Sequence, residues 1–346
     1  ITLRLCAVPA YAQRGCTVSY QSRKSLHILV LIAGLLVSAL SPAKDITVDD
    51  SYSPGERFAR YKVKHPELAW PVQTFRAGQS IAFERPYKRV DGRDLHADFF
   101  YPSVENQNGQ AVVLVHGGGW RSGNKSHFYP LANLLAQRGY VVMTPEYRLS
   151  VEARYPAGMT DISDAISWLR QRAEDFSINP EKIALGGGSS GGQMAALAGH
   201  AAQSGKYHSQ PAQNTIVNAV IDLDGVLDFT TPLALQFENK KQQKSAAALW
   251  LGGTYEELPE IWAEASATHH LHPQSPPTLI ISSGQPRFTA GHAEITGYLT
   301  KHHIIHQYIE LNKTIHTFWL FEPYLSQTAQ WIDTFLQRVQ KQGEQQ

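Results

Sequence analysis

The chain has 346 residues, 42% of them apolar, and its 31 basic and 30 acidic side chains leave a net charge of +1. That is enough apolar material for a sizeable core, and the balanced charge gives no reason to expect a nucleic acid or an anionic membrane surface as partner.

Arg23-Lys24 precede an apolar run over 26–40, followed by Ser41-Pro42-Ala43. A positive segment, a short apolar segment and a small-residue site together have the make-up of a secretory signal peptide. The run is too short to favour a spanning helix. Residues 22–43 are therefore read as a signal peptide cleaved after Ala43, with Ala39 as the second choice. Residues 1–21, which open on Ile1 rather than Met, are read as a spurious or disordered extension. Both cysteines, Cys6 and Cys16, fall upstream of that cleavage. The mature protein is then expected to have no disulfide, no thiol nucleophile and no cysteine-ligated zinc. A periplasmic or secreted location is the expectation, with no stable membrane insertion after cleavage.

Residues 44–82 are rich in proline, charge and tyrosine and show little periodicity. They read as an ordered arm or a partly mobile lead-in, with Trp70-Pro71 and Phe75 available to tuck against a domain at 83–341. Strand signals begin there. Residues 87–90 and 95–101 flank Asp91-Gly92, a strong pair for a type I′ hairpin turn. Residues 111–115 form a continuous apolar, β-branched run, as a buried parallel strand requires. It ends in His116-Gly117-Gly118-Gly119-Trp120. A helix over 128–138, a strand over 140–143 and an amphipathic helix over 161–172 follow. Strand alternating with helix implies a mostly parallel sheet with helices on its faces.

Residues 183–197 carry the most informative stretch. A short apolar run enters Gly186-Gly187-Gly188-Ser189-Ser190-Gly191-Gly192, and an alanine-rich helical pattern leaves it. Strand, sharp turn and helix around G-x-S-x-G make a nucleophile elbow, which lifts a serine hydroxyl above the sheet. Two registers fit, one placing the nucleophile at Ser189 and the other at Ser190. A phosphate loop is the competing reading, but no lysine follows at the position that loop needs.

The combination of His116-Gly117-Gly118-Gly119-Trp120, Pro145-Glu146-Tyr147-Arg148-Leu149 and Gly187-Gly188-Ser189-Ser190-Gly191-Gly192 resembles the hormone-sensitive-lipase-type branch of the α/β-hydrolases. Within that branch it is most similar to exported bacterial feruloyl, acetyl-xylan and pectin esterases. The similarity covers about residues 83–340. It implies an α/β-hydrolase fold with a mostly parallel central sheet, and an insertion after the sixth strand at 226–275. The esterase elbow selects Ser189, with Ser190 in the position that is usually alanine. The loop after the third strand then supplies an oxyanion hole from the N–H groups of Gly118 and Gly119, completed by that of Ser190. Each such donor, aimed at the developing negative charge, can lower the barrier by about 3 kcal/mol.

Chain order in the family places the general base at His316, after a last strand at 306–311 and before a closing helix at 323–339. The family's acid is expected after Ser283, where this chain has Gly284-Gln285-Pro286-Arg287-Phe288 and no carboxylate. Asp224, at the end of the preceding strand, is the chosen substitute. Asp228, Glu294 and an imidazole oriented without any acid are the alternatives. Asp222 shares a strand face with Asp224 and is read as a buried neighbour.

No metal or organic cofactor is expected. The histidine groups His269-His270 with His272, and His302-His303 with His306, lack acidic or cysteine ligands at metal-site spacing. The aromatic residues of 226–275 (Phe229, Phe237, Trp250, Tyr255 and Trp262) read chiefly as core of the insertion, with stacking on sugar rings as the second reading. The expected function is that of an exported serine esterase removing acyl or methyl groups from plant-type polysaccharide. A general carboxylesterase acting on small esters and a non-catalytic binding protein on a hydrolase fold are the alternatives.

Overall fold

The structure, a computed structural model, describes Asp49 and residues 51–344. The signal-peptide reading, its cleavage site and both cysteines lie outside those residues. Among the described residues no helix is long and apolar enough to cross a membrane.

Helix α1 (Pro54–Lys62) opens the described chain, with Ser53 as its N-cap and proline at its first position, where the missing N–H costs nothing. Phe58 of α1 and Trp70 beyond it pack on Phe321, with ring centroids 5.3 and 5.8 Å away. The described part of the arm thus contacts the body through Trp70 and through α1, which its weak periodicity had concealed, while Phe75 is exposed.

Strands β1 (Ser80–Val90) and β2 (Arg93–Tyr101) form the expected hairpin. Asp91 and Gly92 turn it with φ of 48° and 87°, both positive as a type I′ turn demands. β2 runs antiparallel to β4 (Val141–Pro145). From there β3 (Ala111–Val115), β5 (Ile183–Gly188), β6 (Ala219–Leu223), β7 (Thr278–Ser282) and β8 (His306–Glu310) are parallel, in the order β1-β2-β4-β3-β5-β6-β7-β8. β6 starts at Ala219, where pairing with Ala184 begins, rather than at the exposed Ile216.

The apolar strands are buried because helices cover both sheet faces. On one face α2 (Tyr129–Ala136) packs Leu131 and Leu135 beside Val112 and Leu114. A short 3₁₀ turn, Lys125–Phe128, precedes α2 and takes up the start of the helix expected from residue 128. On the other face α3 (Ala157–Gln171) and α4 (Ser190–Ala201) set Ile162, Leu169, Met194 and Leu197 against Val113 and Leu185.

Residues 226–275 are built of three short helices, α5 (Pro232–Glu238), α6 (Ala246–Leu251) and α7 (Pro259–Glu264). Phe229, Trp250 and Trp262 are buried in the same core as α4, which leaves none of the three free to stack on a ligand. Helix α8 (His292–Lys301) follows β7, and α9 (Tyr324–Gly343) closes the chain, burying Ile332, Phe335 and Leu336. Because β3, β5, β6, β7 and β8 are parallel, the loops that leave their carboxyl ends all emerge on one edge of the sheet.

Candidate active site

Ser189 sits between β5 and α4 with φ 56° and ψ −123°, a conformation that costs a non-glycine residue energy and is held only by its surroundings. Its N–H bonds to the Leu223 carbonyl of the next strand at 2.8 Å. The helix leaves so steeply that a Cβ on Gly191 would lie 2.0 Å from the Val115 carbonyl oxygen. Gly191 is thus demanded by close backbone approach, and Gly188 by an aromatic side chain. A Cβ on Gly188 would stand 2.4 Å from the Trp319 ring.

His316, in the loop after β8, reaches Ser189 Oγ with its Nε2 at 2.8 Å and Asp224 Oδ2 with its Nδ1 at 2.7 Å. An ionised carboxylate only accepts, so Nδ1 carries the proton and Nε2 is left to accept the serine hydroxyl. Asp224 is fully buried. It follows the last residue of β6 with φ 60°, and its Oδ1 accepts the Ser283 N–H at 2.7 Å. Ser283, just before the loop where the family's acid is expected, therefore donates its backbone N–H to a carboxylate that arrives from the neighbouring strand.

The other carboxylates are placed elsewhere. Asp228 is bound to the hydroxyls of Thr230 and Thr268, and Glu294 is exposed on α8. Asp222 is fully buried beside Asp224 and accepts the Gly225 N–H at 2.9 Å. Burial holds its carboxyl above the usual range, against the pull of His292. Asp222 shapes the turn that carries Asp224.

The glycine loop after β3 is fixed by its carbonyls. His116 is buried, and burial lowers its imidazole to about 3, so the ring is neutral and its Nδ1 lies 2.9 Å from the Gly117 carbonyl. The Gly118 carbonyl accepts the Ser122 N–H at 3.1 Å and the Ser122 hydroxyl at 2.9 Å. In a trans peptide the N–H points opposite to the carbonyl, so these bonds turn the Gly118 and Gly119 N–H groups the other way. Trp120 anchors the loop, buried against Trp250 with ring planes 7° apart and centroids at 4.7 Å. Ser190 is the first residue of α4, and its N–H has no partner inside the helix.

Ser189, Ser190, Gly118, Gly119 and His316 line one cavity of about 490 Å³. Sequence reasoning missed the rest of its wall. Tyr52, Arg57 and Tyr61 come from the arm, and Arg121, Lys241, Arg287 and Phe288 from three separate loops. The one local signal was the Gly284–Phe288 loop, conspicuous for its lack of a carboxylate. It carries Phe288, stacked on the His316 ring.

Glu84, His96 and Glu146 converge closely enough to hold a metal ion. The Lys125 ammonium lies among them, salt-bridged to Glu84, Glu146 and Asp98. That cluster already has its cation. Neither surface histidine group joins a potential metal cluster among the described residues.

The sheet order and the Ser189–His316–Asp224 arrangement are those of an α/β-hydrolase. The family model BD-FAE matches residues 97–287, and the chain belongs to that family. Among characterised relatives, esterase LipC of Mycobacterium tuberculosis is 28% identical over 49% of this chain and 42% of its own. Carboxylesterase NlhH of the same organism is 34% identical over 30% of this chain and 33% of its own. The chain thus spans less than half the length of these relatives. A thermophilic esterase from Thermogutta terrifontis, solved with propionate bound, superimposes with a TM-score of 0.60 at 25% identity, covering 76% of this chain and 95% of that one. A carbohydrate esterase from gut microbiota shares the fold, with a TM-score of 0.62 at 19% identity, over 78% of this chain and 99% of that one.

Proposed function

We propose that this protein is a serine carboxylic-ester hydrolase, with Ser189 as nucleophile, His316 as general base and Asp224 as the residue that orients it. The observation that carries this reading is the unbroken hydrogen-bonded line from Ser189 Oγ through His316 to Asp224, opening on a cavity lined by the glycine loop. His316 takes the serine proton as Oγ attacks the ester carbonyl. The N–H groups of Gly118, Gly119 and Ser190 receive the oxyanion. Proton return from His316 releases the alcohol, and water repeats the sequence on the acyl-enzyme.

The finer reading is an exported enzyme that removes acyl or methyl groups from polysaccharide. Export rests on the 22–43 pattern. The polysaccharide rests on a cavity larger than a short acyl chain needs, with Tyr52 and Tyr61 on its wall. N-terminal sequencing of the exported protein tests the first, with Lys44 as the expected start.

Hydrolysis of short-chain nitrophenyl esters beside Ser189→Ala and Ser190→Ala tests the esterase. Turnover and labelling by a serine-reactive phosphonate should vanish only for Ser189→Ala. A wild-type protein with neither turnover nor label is the result expected of a binding protein on a hydrolase fold.

A further inference from the structure

We infer that the ester taken by this site carries a carboxylate of its own, beyond the bond that is cleaved. The inference rests on the esterase reading and names its substrate class. Arg57, Arg121, Lys241 and Arg287 all line the cavity that holds Ser189 and His316, and among the described residues no aspartate or glutamate lines it. The four come from α1, the loop after the glycine motif, the insertion and the loop after β7. The chain as a whole carries a net charge of only +1, so this is a local concentration and not a sample of a basic surface.

Two of the four are braced. Arg121 Nε bonds to Asp49, and the bonds that Ser51 and Arg121 donate to Asp49 keep its carboxyl ionised, down to about 2. Arg287 Nη2 lies 2.6 Å from the buried Glu238 Oε1. The other two have no carboxylate partner among the described residues. Arg57 lies over the Tyr52 ring, 5.2 Å from its centroid, and Lys241 is exposed at the cavity edge.

Arg57 and Lys241, which have no carboxylate partner among the described residues, add positive charge beside two paired guanidiniums, and an anion entering the cavity would offset it. A fixed guanidinium presents a two-pronged donor matched to a carboxylate. The same field draws anionic substrates toward the opening.

Two matched pairs place the anion on either side of the ester. Nitrophenyl monoglutarate against nitrophenyl pentanoate puts it on the acyl group. Acetoxybenzoate against phenyl acetate puts it on the alcohol. At low salt the carboxylate-bearing member of at least one pair should lead in kcat/KM by about tenfold, the worth of one charge-assisted bond. Arg57→Gln and Lys241→Gln should each reduce that ratio about threefold or more, and half-molar salt should compress it. Calorimetry on Ser189→Ala gives a readout without turnover, with monomethyl glutarate expected to bind more tightly than dimethyl glutarate.

Neutral esters that are turned over at least as well in both pairs, with ratios unmoved by either variant, overturn this inference and leave the esterase standing. Absence of all turnover and of phosphonate labelling overturns the esterase instead. In that case equal binding of the two glutarates would remove the anion site as well, and tighter binding of the monoester would keep it.

Discussion

Phe288 lies flat on His316, with ring centroids 3.5 Å apart and planes 6° from parallel. The imidazole is thus held on three sides. Asp224 takes Nδ1, Phe288 covers one face, and Trp319 meets the ring edge-on at 5.7 Å. The loop between Phe288 and β7 is tied to the histidine's own loop, for Gln285 Nε2 donates to the Thr314 carbonyl at 2.8 Å.

Phe288 is therefore a positioning residue, and its truncation should disturb catalysis more than binding. Phe288→Ala is expected to lower kcat by about tenfold or more, because small losses of alignment are costly in acyl transfer. KM should change less, and Phe288→Tyr should restore most of the rate. Steady-state kinetics with a nitrophenyl ester measures the split. A KM effect alone, or no recovery with tyrosine, would make Phe288 a wall of the cavity and nothing more.

The acid can be identified by three conservative changes. Asp224→Asn should reduce kcat by about 10³ to 10⁴ with the fold intact, since the amide can donate to Nδ1 and so favour the wrong tautomer. Glu294→Gln, on the exposed face of α8, should leave kcat within about twofold. Asp228→Asn should act on stability, because that carboxylate holds the Thr230 and Thr268 hydroxyls. Circular dichroism and melting beside kinetics separate the two kinds of loss.

What could be read from the sequence divides along physical lines. The elbow and the glycine loop were legible because each is a local backbone shape that demands small residues at fixed spacing, as the 2.0 Å clearance at Gly191 shows. The buried strands were legible from their continuous apolar runs. Asp224 was only one choice among several, because its partnership with His316 spans 92 positions and depends on β6 lying beside β7. The wall of the cavity was not legible. Arg57, Arg121, Lys241 and Arg287 share no spacing or motif, and only the folded chain brings the arm and three loops together.

The elbow glycine also supports a stability prediction. Gly191→Ala puts a methyl group into the Val115 carbonyl, and both are backbone-fixed, so neither can step aside. The variant should unfold at lower denaturant by several kcal/mol, or fail to accumulate as soluble protein. Urea titration measures the loss. A midpoint unchanged from wild type would show that α4 can leave β5 at a shallower angle.

Histidines lowered by burial, His116, His200 and His127 among them, contribute to the response to acid. Burial lowers both His116 and His200 to about 3 from an ordinary value of 6.5. Between those values the unfolded chain binds protons that the folded chain does not. Stability therefore rises with pH across that window and is lost as pH falls below about 6.5, at up to about 1.4 kcal/mol per pH unit for each group. His200 lies within α4, with neither ring nitrogen hydrogen-bonded, and it takes no part in the site. His200→Leu should therefore shallow the fall in urea midpoint between pH 6.5 and 4, and raise stability at pH 7 by about 1 kcal/mol or more through removal of two buried polar atoms. Urea midpoints measured every half pH unit for the two proteins give the comparison. Parallel curves would mean that His200 is protonated in the folded state or finds a partner on acidification, and that the acid limb belongs to the other histidines lowered by burial, His116 and His127 among them, and the carboxylates.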